Sequence, residues 1–309
     1  MYKTTTTLAF LASLTLACGP TMSDAGGQDD DGDQTDARGP NFDAWVPPPL
    51  VDANNSCSKM DILFVVDNSG SMAQEQANLA QNFPLFIQVL EDRNLDYRVG
   101  ITTTGRTYTY TDFLGLPTTQ NGDDGELLQR CDMTNRWVSP TDPTPAQTFA
   151  CAAEVGTSGP ADEMPLAVTK AAFTEQVTNG TNAGFLRDDA LLAIVILTDE
   201  NDCSYEQSVS LGFFEFLCES NMEPVQTYVN TLDMVKGERG RWATAVIAGP
   251  TDCSSEFGDA ARATRLQEFV TLTGDNAVFS SICEGDLTVG LEAALDTFEQ
   301  ACNAFPPIE

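Results

Sequence analysis

The chain contains no histidine among its 309 residues. This absence excludes Ser-His-Asp and Cys-His catalysis, histidine-ligated zinc and the usual general base near neutral pH. A serine nucleophile would need another base, and no Ser-x-x-Lys motif stands in a convincing context. Enzymes without histidine exist, so the absence lowers the expectation of catalysis without closing it. We expect that the protein is not an enzyme.

Basic residues are scarce as well. The sequence has 15 lysines and arginines against 46 aspartates and glutamates, a net charge of −31 at pH 7. Nucleic acids and anionic membrane surfaces are bound through lysine and arginine, so we expect neither as a partner. The acidic surface favours solubility and attracts cations, and most of it can simply be solvated. The length suits one large domain or two small ones.

The apolar run near the N-terminus, residues 8–17, is too short to span a bilayer as a helix and has the shape of a secretion signal. With Cys18 it resembles the bacterial lipoprotein signal, residues 1–18, in which the cysteine becomes the lipidated N-terminus. That pattern prefers leucine where Thr15 stands, and a plain signal peptide cut elsewhere is the alternative. Gly19 is not the aspartate that retains lipoproteins at the inner membrane of enteric bacteria. The resemblance therefore implies an anchor in the outer membrane, facing the periplasm or the cell surface.

Residues 19–56 have few apolar side chains and are dominated by Gly, Asp, Ser and Pro. We expect this segment to be a disordered acidic linker, because it cannot build a core. Its aspartate cluster, residues 29–33, lacks the alternating spacing and the distal glutamate of a calcium loop. A charged spacer is the better interpretation. The folded domain is predicted at residues 57–302, followed by a tail at 303–309.

Two apolar runs each end in an aspartate. Residues 62–66 are rich in β-branched and aromatic side chains, which predicts a buried strand, and Asp67 follows. Residues 190–197 form a second such run, followed by Thr198 and Asp199. Ligands of open α/β sheets lie outside the carboxyl ends of the strands. Asp67, Ser69 and Ser71 would stand there as hard oxygen donors suited to Mg²⁺.

The pattern Asp67-x-Ser69-x-Ser71 after a buried strand, together with the second strand that ends at Asp199, resembles the metal-ion-dependent adhesion site of the von Willebrand factor type A family. The resemblance covers about residues 57–302 and is similar to that of cysteine-rich type A lipoproteins of myxobacteria and their relatives. It implies an α/β fold with a doubly wound, mostly parallel, Rossmann-like central sheet covered by helices on both faces. The alternative is an ordinary strand–turn–helix junction with an Asp or Ser cap.

The resemblance also implies a ligand set. A loop threonine would join Asp67, Ser69 and Ser71, and Thr157 after Gly156 is the candidate, with Ser158 as the alternative. Asp199 would bind the ion directly or through a water. The implied cofactor is Mg²⁺, with Mn²⁺ or Ca²⁺ as alternatives.

Such a site mediates adhesion in the family. The ion would keep one coordination position for an Asp or Glu carboxylate of an unidentified partner protein or peptide. The competing interpretation is a metal-independent structural envelope lipoprotein with a vestigial site. Glu200 and Asp202 add negative charge nearby, and either hold the ion's waters or belong to a solvated acidic loop.

The rest of the chain alternates strands with helices, which predicts a parallel sheet covered on both faces. The helix predicted at 72–90 should kink or break near Phe83, because Pro84 follows. Residues 105–150 lack apolar periodicity and are interpreted as an irregular insertion. Further helices are expected at about 162–177 and 225–235 and around Leu266 and Leu291, with strands at 97–103, 242–248 and 277–279.

Apart from Cys18, eight cysteines are scattered without any Cys-x-x-Cys pair. An even, dispersed set in an exported chain predicts disulfides rather than a zinc cluster. Sequence does not fix the connectivity, but the predicted layout favours four pairings. Cys57–Cys302 would join the ends of the domain, and Cys253–Cys283 would link the segments that follow two strands expected to be adjacent. Cys131–Cys151 would close the insertion, and Cys203–Cys218 would close the loop after Asp199. The last two would stiffen the rim of the proposed metal site.

Overall fold

The computed structural model describes residues 57–112, 114–205, 222–255 and 258–306. The predicted signal segment with Cys18, the linker at 19–56 and Cys218 lie outside the described residues. Within the described ranges, none of the helices combines the length and the apolar character that crossing a bilayer requires.

The described ranges contain nine strands and seven α-helices. Strands β1 to β9 are Lys59–Val66, Asp96–Thr103, Tyr108–Thr111, Pro117–Gln120, Leu191–Leu197, Trp242–Ala248, Cys253–Ser255, Gly258–Ala260 and Ala277–Ser281. Helices α1 to α7 are Ala73–Asp92, Pro145–Ala153, Pro165–Phe173, Glu175–Thr178, Val225–Lys236, Thr264–Thr273 and Leu287–Asn303.

Five strands form the central sheet in the order β2-β1-β5-β6-β9, and every neighbouring pair is parallel. The apolar runs of β1 and β5 are buried on both faces, as expected for inner strands of a parallel sheet. Side chains that alternate along β1 enter two separate cores. Helices α1, α2 and α7 contribute to the first core, and α3, α5 and α6 to the second. The prediction of an α/β fold with a parallel sheet flanked by helices is confirmed.

Helix α1 continues through Pro84, so of the predicted kink or break near Phe83 the break does not occur. The proline removes one backbone hydrogen bond, but its ring lies on the exposed face of the helix. Phe83 and Phe86 on the other face are buried against Phe64, with ring centroids 5.4 Å from that of Phe64 in each case. This packing holds the helix together on both sides of the proline.

The segment 105–150 is less irregular than predicted. It contains the antiparallel β3–β4 hairpin and most of helix α2, and Leu127, Val138 and Phe149 are buried. The Phe149 ring lies 4.9 Å from that of Phe64, edge to face. Helix α2 has nine residues, too few for a clear helical period to emerge from the sequence. The segment therefore contributes to the core instead of merely covering it.

Three predicted disulfides are confirmed: Cys57–Cys302, Cys131–Cys151 and Cys253–Cys283. Cys253 and Cys283 follow β6 and β9, which are neighbours in the sheet, and their Cα atoms lie 6.0 Å apart. Cys203 is also disulfide-bonded. Its predicted pairing involves Cys218, outside the described residues.

We expect Phe149→Ala to lower the free energy of unfolding by about 3–5 kcal/mol, because it opens a cavity beside Phe64. Urea denaturation followed by circular dichroism measures the change. Leu114→Ala is the matched control, because Leu114 belongs to the same segment and is 67% exposed. The control should change the free energy by less than about 0.5 kcal/mol. Equal effects of the two substitutions would contradict a core role for this segment.

Candidate metal centre

Strands β1 and β5 lie side by side and end in register, with Val66 opposite Leu197. The next residue after β1, Asp67, donates its backbone N–H to the carbonyl oxygen of Leu197 at 2.9 Å. Asp199 follows β5 by two residues. The structure therefore brings Asp67 and Asp199 to one edge of the sheet, and both side chains are buried.

Two hydrogen bonds orient the Asp67 carboxyl group. Its Oδ1 accepts from the backbone N–H of Ser69 at 2.7 Å, and its Oδ2 accepts from the Thr198 hydroxyl at 2.6 Å. The hydroxyls of Ser69 and Ser71 lie 3.1 Å apart. Ser71 and Asp199 line the same surface cavity. Four of the five predicted ligands are thus gathered in one place.

The loop that precedes helix α3 lies against this turn. The Gln76 side chain donates to the carbonyl oxygens of Asp67 and Gly156, each at 2.8 Å, and accepts from the Gly156 N–H at 3.1 Å. The Gly159 N–H donates to the Asn68 carbonyl at 2.8 Å. A Cβ atom at Gly159 would lie 2.2 Å from Asn68 Oδ1, so a larger residue there would displace the Asn68 side chain.

The two predicted loop ligands, Thr157 and Ser158, lie in this loop but are exposed. Neither side chain forms a hydrogen bond within the described residues. The assignment of Thr157, or Ser158, as a ligand stays a prediction.

The same loop contains Glu163, a buried acidic residue that the sequence analysis did not include in the site. Glu163 is fully buried, and its Oε2 accepts a hydrogen bond from the Thr104 hydroxyl. Its carbonyl oxygen accepts from the Cys203 N–H at 2.7 Å, and the next residue, Met164, donates to the Thr104 carbonyl at 3.0 Å. Thr104 follows β2 and Cys203 follows β5, and β1 lies between those strands. The loop therefore crosses the end of β1, where Asp67 lies.

A sequence signal for Glu163 exists but is weak. The residue directly precedes the apolar stretch that begins Met164-Pro165-Leu166, and Pro165 marks the first turn of a helix. An acidic residue just before a helix is usually a solvated partner of the helix N-terminus. Only the crossing of the loop over β1 makes this residue a buried one.

Burial raises the pKa values of several carboxyl groups around Asp67. The pKa of Asp67 rises to about 6, with the charge of Asp199 as a further cause. The pKa of Glu163 rises to about 9, chiefly by burial and then by the charge of Asp67. The pKa of Glu200 rises to about 7 for the same two reasons. Burial also raises the pKa values of Asp199 and Glu75. The cluster therefore resists ionisation unless a positive charge joins it.

Other buried carboxylates in this protein have cationic partners. Asp61 pairs with Arg187 at 2.8 Å, and Asp202 pairs with Arg265 at 2.9 Å. Among the described residues, no lysine or arginine forms an ion pair with the five carboxylates of the cluster: Asp67, Glu75, Glu163, Asp199 and Glu200.

Three oxygens of the cluster are buried without a hydrogen-bond partner in the described part of the chain. They are Asp199 Oδ1, Glu163 Oε1 and Glu75 Oε2. Buried polar atoms of folded proteins are almost always satisfied, by protein, water or an ion. Carboxylate and hydroxyl oxygens are the donors that hard divalent cations prefer. These oxygens are therefore of the chemical type that Mg²⁺ accepts, but no three Asp, Glu, His or Cys side chains in the described ranges are arranged as a metal-binding group.

Comparison with known proteins assigns no family to the chain. No family model matches it, and no curated protein matches it. Its fold is similar to proximal thread matrix protein 1 from the mussel byssus, with a TM-score of 0.42 and 11% identity over 79% of this chain and 49% of that chain. It is also similar to the pilus adhesin SpaC from Lactobacillus rhamnosus GG, with a TM-score of 0.42 and 11% identity over 82% of this chain and 31% of that chain. The chain thus spans half or less of the length of these two structures, and likenesses of this degree assign no function.

Without a divalent cation, we expect the protein to become less stable as the pH rises from about 4 to about 9. The raised pKa values of Asp67, Glu200 and Glu163 mean that the folded state binds more protons than the unfolded state across this range. Stability is then fully present below the unfolded-state pKa values and is lost as the pH rises through the folded-state values. Urea denaturation in EDTA at a series of pH values measures the slope.

Saturating Mg²⁺ should flatten this slope, because a bound cation favours the ionised carboxylates. An identical pH dependence in EDTA and in Mg²⁺ would show that the cluster does not respond to the cation.

Proposed function

We propose that the chain is a von Willebrand factor type A-like domain that binds a partner protein through a divalent cation. The observation that carries this proposal is the convergence of Asp67 and Asp199, from two adjacent strand ends, in an acidic cluster with which no lysine or arginine of the described residues forms an ion pair. The finer fold assignment, a doubly wound Rossmann-like sheet, belongs to the same proposal. The strand order β2-β1-β5-β6-β9 and helices on both faces support it.

The cation would be held by Asp67, Ser69, Ser71 and Asp199, with Mg²⁺ favoured over Mn²⁺ and Ca²⁺. Thr157 or Ser158 would complete the protein's contribution, as the family resemblance implies. The hydrogen bonds of Thr198 and Ser69 to Asp67 keep that carboxylate in one orientation, and such support is typical of metal ligands. Bound there, the cation would supply the positive charge that no lysine or arginine of the described residues supplies by ion pairing.

The partner would contribute an Asp or Glu carboxylate to the ion's remaining coordination position. Exposed Ser71 makes one side of the site accessible from solvent. Because the protein's net charge is −31, an acidic partner would be repelled at long range, and the ion would provide the local attraction. Moderate salt should therefore strengthen binding, because it screens the long-range repulsion between the two proteins. Higher salt should weaken binding, because it also screens the attraction between the ion and the partner's carboxylate.

We further propose that the domain is exported and is anchored through a lipidated Cys18 in the outer membrane, on the periplasmic or the cell-surface side. The acidic linker at 19–56 would then separate the domain from the membrane surface. The proposed role is binding and not catalysis.

Isothermal titration calorimetry with Mg²⁺ and Mn²⁺ tests the cation site. We expect binding to the unmodified protein and its loss in Asp67→Ala, because that substitution removes the carboxylate that both Thr198 and Ser69 orient. Asp275→Ala, which removes an exposed carboxylate, is the control and should leave binding unchanged. No heat of binding in any of the three proteins would favour the alternative, a structural envelope lipoprotein with a vestigial site.

Affinity capture from an envelope extract tests the partner. With the domain immobilised in Mg²⁺, we expect a protein that is released by EDTA and is not captured by the Asp67→Ala domain. A protein captured equally by both domains, or retained in EDTA, would argue against cation-dependent binding.

A further inference from the structure

An open surface cavity of about 560 Å³ lies beside the proposed metal site and shares Ser71 and Asp199 with it. Its other acidic residues are Glu200, which directly follows Asp199, and two aspartates of the segment after β6, Asp252 and Asp259. Of the residues that the structure describes, no lysine or arginine lines the cavity. Four carboxylates therefore share one cavity wall without a basic side chain among them.

The antiparallel β7–β8 hairpin holds one side of this cavity in place. Its disulfide, Cys253–Cys283, joins it to the segment that follows β9. Just after β8, the Ala261 N–H donates to the Asp199 carbonyl oxygen at 2.8 Å. The next N–H, that of Arg262, donates to Asp252 Oδ1 at 2.9 Å. The backbone that carries these carboxylates is therefore tied to the central sheet.

One of the four carboxylates is buried and incompletely bonded. Asp199 is only 4% exposed and lines the cavity, and its Oδ1 has no hydrogen-bond partner within the described ranges. Buried polar atoms are almost always paired, so this oxygen points to a donor that enters the cavity from outside.

The chain's own basic side chains do not supply that donor. In the described part of the chain, none of the lysines and arginines forms an ion pair with any of the four carboxylates. Arg262 approaches Asp252 through its backbone, but it does not line the cavity. The cavity therefore lacks the compensation that Asp202, a short way along the chain, receives from Arg265 at 2.9 Å.

The size of the cavity indicates which kind of cation fits. No three acidic side chains of the described residues are arranged around one metal position. The volume of about 560 Å³ lies within the roughly 300–1,000 Å³ of pockets that bind organic ligands. An ammonium group has three donors and a guanidinium group has five, so one such group reaches several separated acceptors. A long basic side chain therefore matches these dispersed carboxylates better than a single ion does.

We infer that this acidic cavity binds the guanidinium or ammonium group of an arginine or lysine side chain on a partner protein. The group pairs with Asp252, Asp259 and Glu200 and donates to Asp199 Oδ1. This contact does not need the divalent ion. For the partner of the proposed function, on which this last step rests, the docking segment then carries a basic residue close to its acidic one. Such a residue offsets the long-range repulsion between an acidic partner and a protein of net charge −31.

NMR titration with a blocked arginine dipeptide tests the cavity in the absence of any partner. The titration is run in EDTA and at about 0.15 M salt, where the Debye length of about 8 Å suppresses distant attraction. We expect the double substitution Asp252→Asn and Asp259→Asn to weaken binding by about 3- to 10-fold, the effect of losing two exposed ion pairs. Asparagine keeps an oxygen that accepts from the Arg262 N–H.

The matched control is the double substitution Glu268→Gln and Asp275→Asn, which removes the same two charges from exposed positions that do not line the cavity. It should bind the dipeptide as the unmodified protein does. Equal weakening in the two double variants would show that the overall charge attracts the peptide, and would overturn the inference. Unchanged binding in the cavity variant, no binding to the unmodified protein, or equal binding of a blocked glutamine dipeptide would also overturn it.

Calorimetric titration with Mg²⁺ separates this inference from the proposed function. Asp252 and Asp259 are not among the proposed ligands, so their double variant should bind Mg²⁺ as the unmodified protein does. If the unmodified protein binds the dipeptide but not Mg²⁺, the cavity assignment stands while the proposed function fails. If it binds Mg²⁺ but not the dipeptide, the cavity assignment fails while the proposed function stands.

Discussion

The proximity of buried like charges at the end of two parallel strands is the constraint on which this structure depends. Strands β1 and β5 pair in register, so the residues that follow them, Asp67 and Thr198-Asp199, must share one small volume. Glu163 enters the same volume from the loop before α3. Carboxylates brought together in this way oppose folding when they are ionised, and protons or a cation must compensate them. The proposed cation site follows from that need.

At the opposite end of the sheet, a buried carboxylate is neutralised by a cationic side chain of the same chain. Near the start of β1, Asp61 is fully buried and accepts from the Arg187 side chain at 2.8 Å and from its backbone N–H at 2.6 Å. That carboxylate is compensated within the fold. Asp67, which directly follows the other end of β1, has no basic partner of this kind among the described residues.

Much of the fold was predictable because its signals are local. The runs at 62–66 and 190–197 are apolar throughout, and only a strand covered on both faces buries such a run. Three disulfide pairings also followed from the expected layout of strands and domain ends. The contribution of Phe149 to the core was missed, because a nine-residue helix in a polar segment carries too little pattern. The sequence left a kink or a break of α1 open at Pro84, and the helix is continuous there because the packing of Phe83 and Phe86 offsets the lost hydrogen bond.

Local pattern was enough to identify the residues that end the two central strands: Asp67 with its serines, and Asp199. Parallel strands present their carboxyl ends at one edge of a sheet, but the family resemblance, and not the strand pattern, made β1 and β5 neighbours. The packing of the folded chain places these strands side by side and buries Glu163 in the loop before α3. Glu163 lies 96 residues after Asp67 in the numbering of the chain, and its burial arises from contacts with Thr104 and Cys203. Such long-range contacts leave no periodic trace in the sequence, because they depend on how separate elements pack.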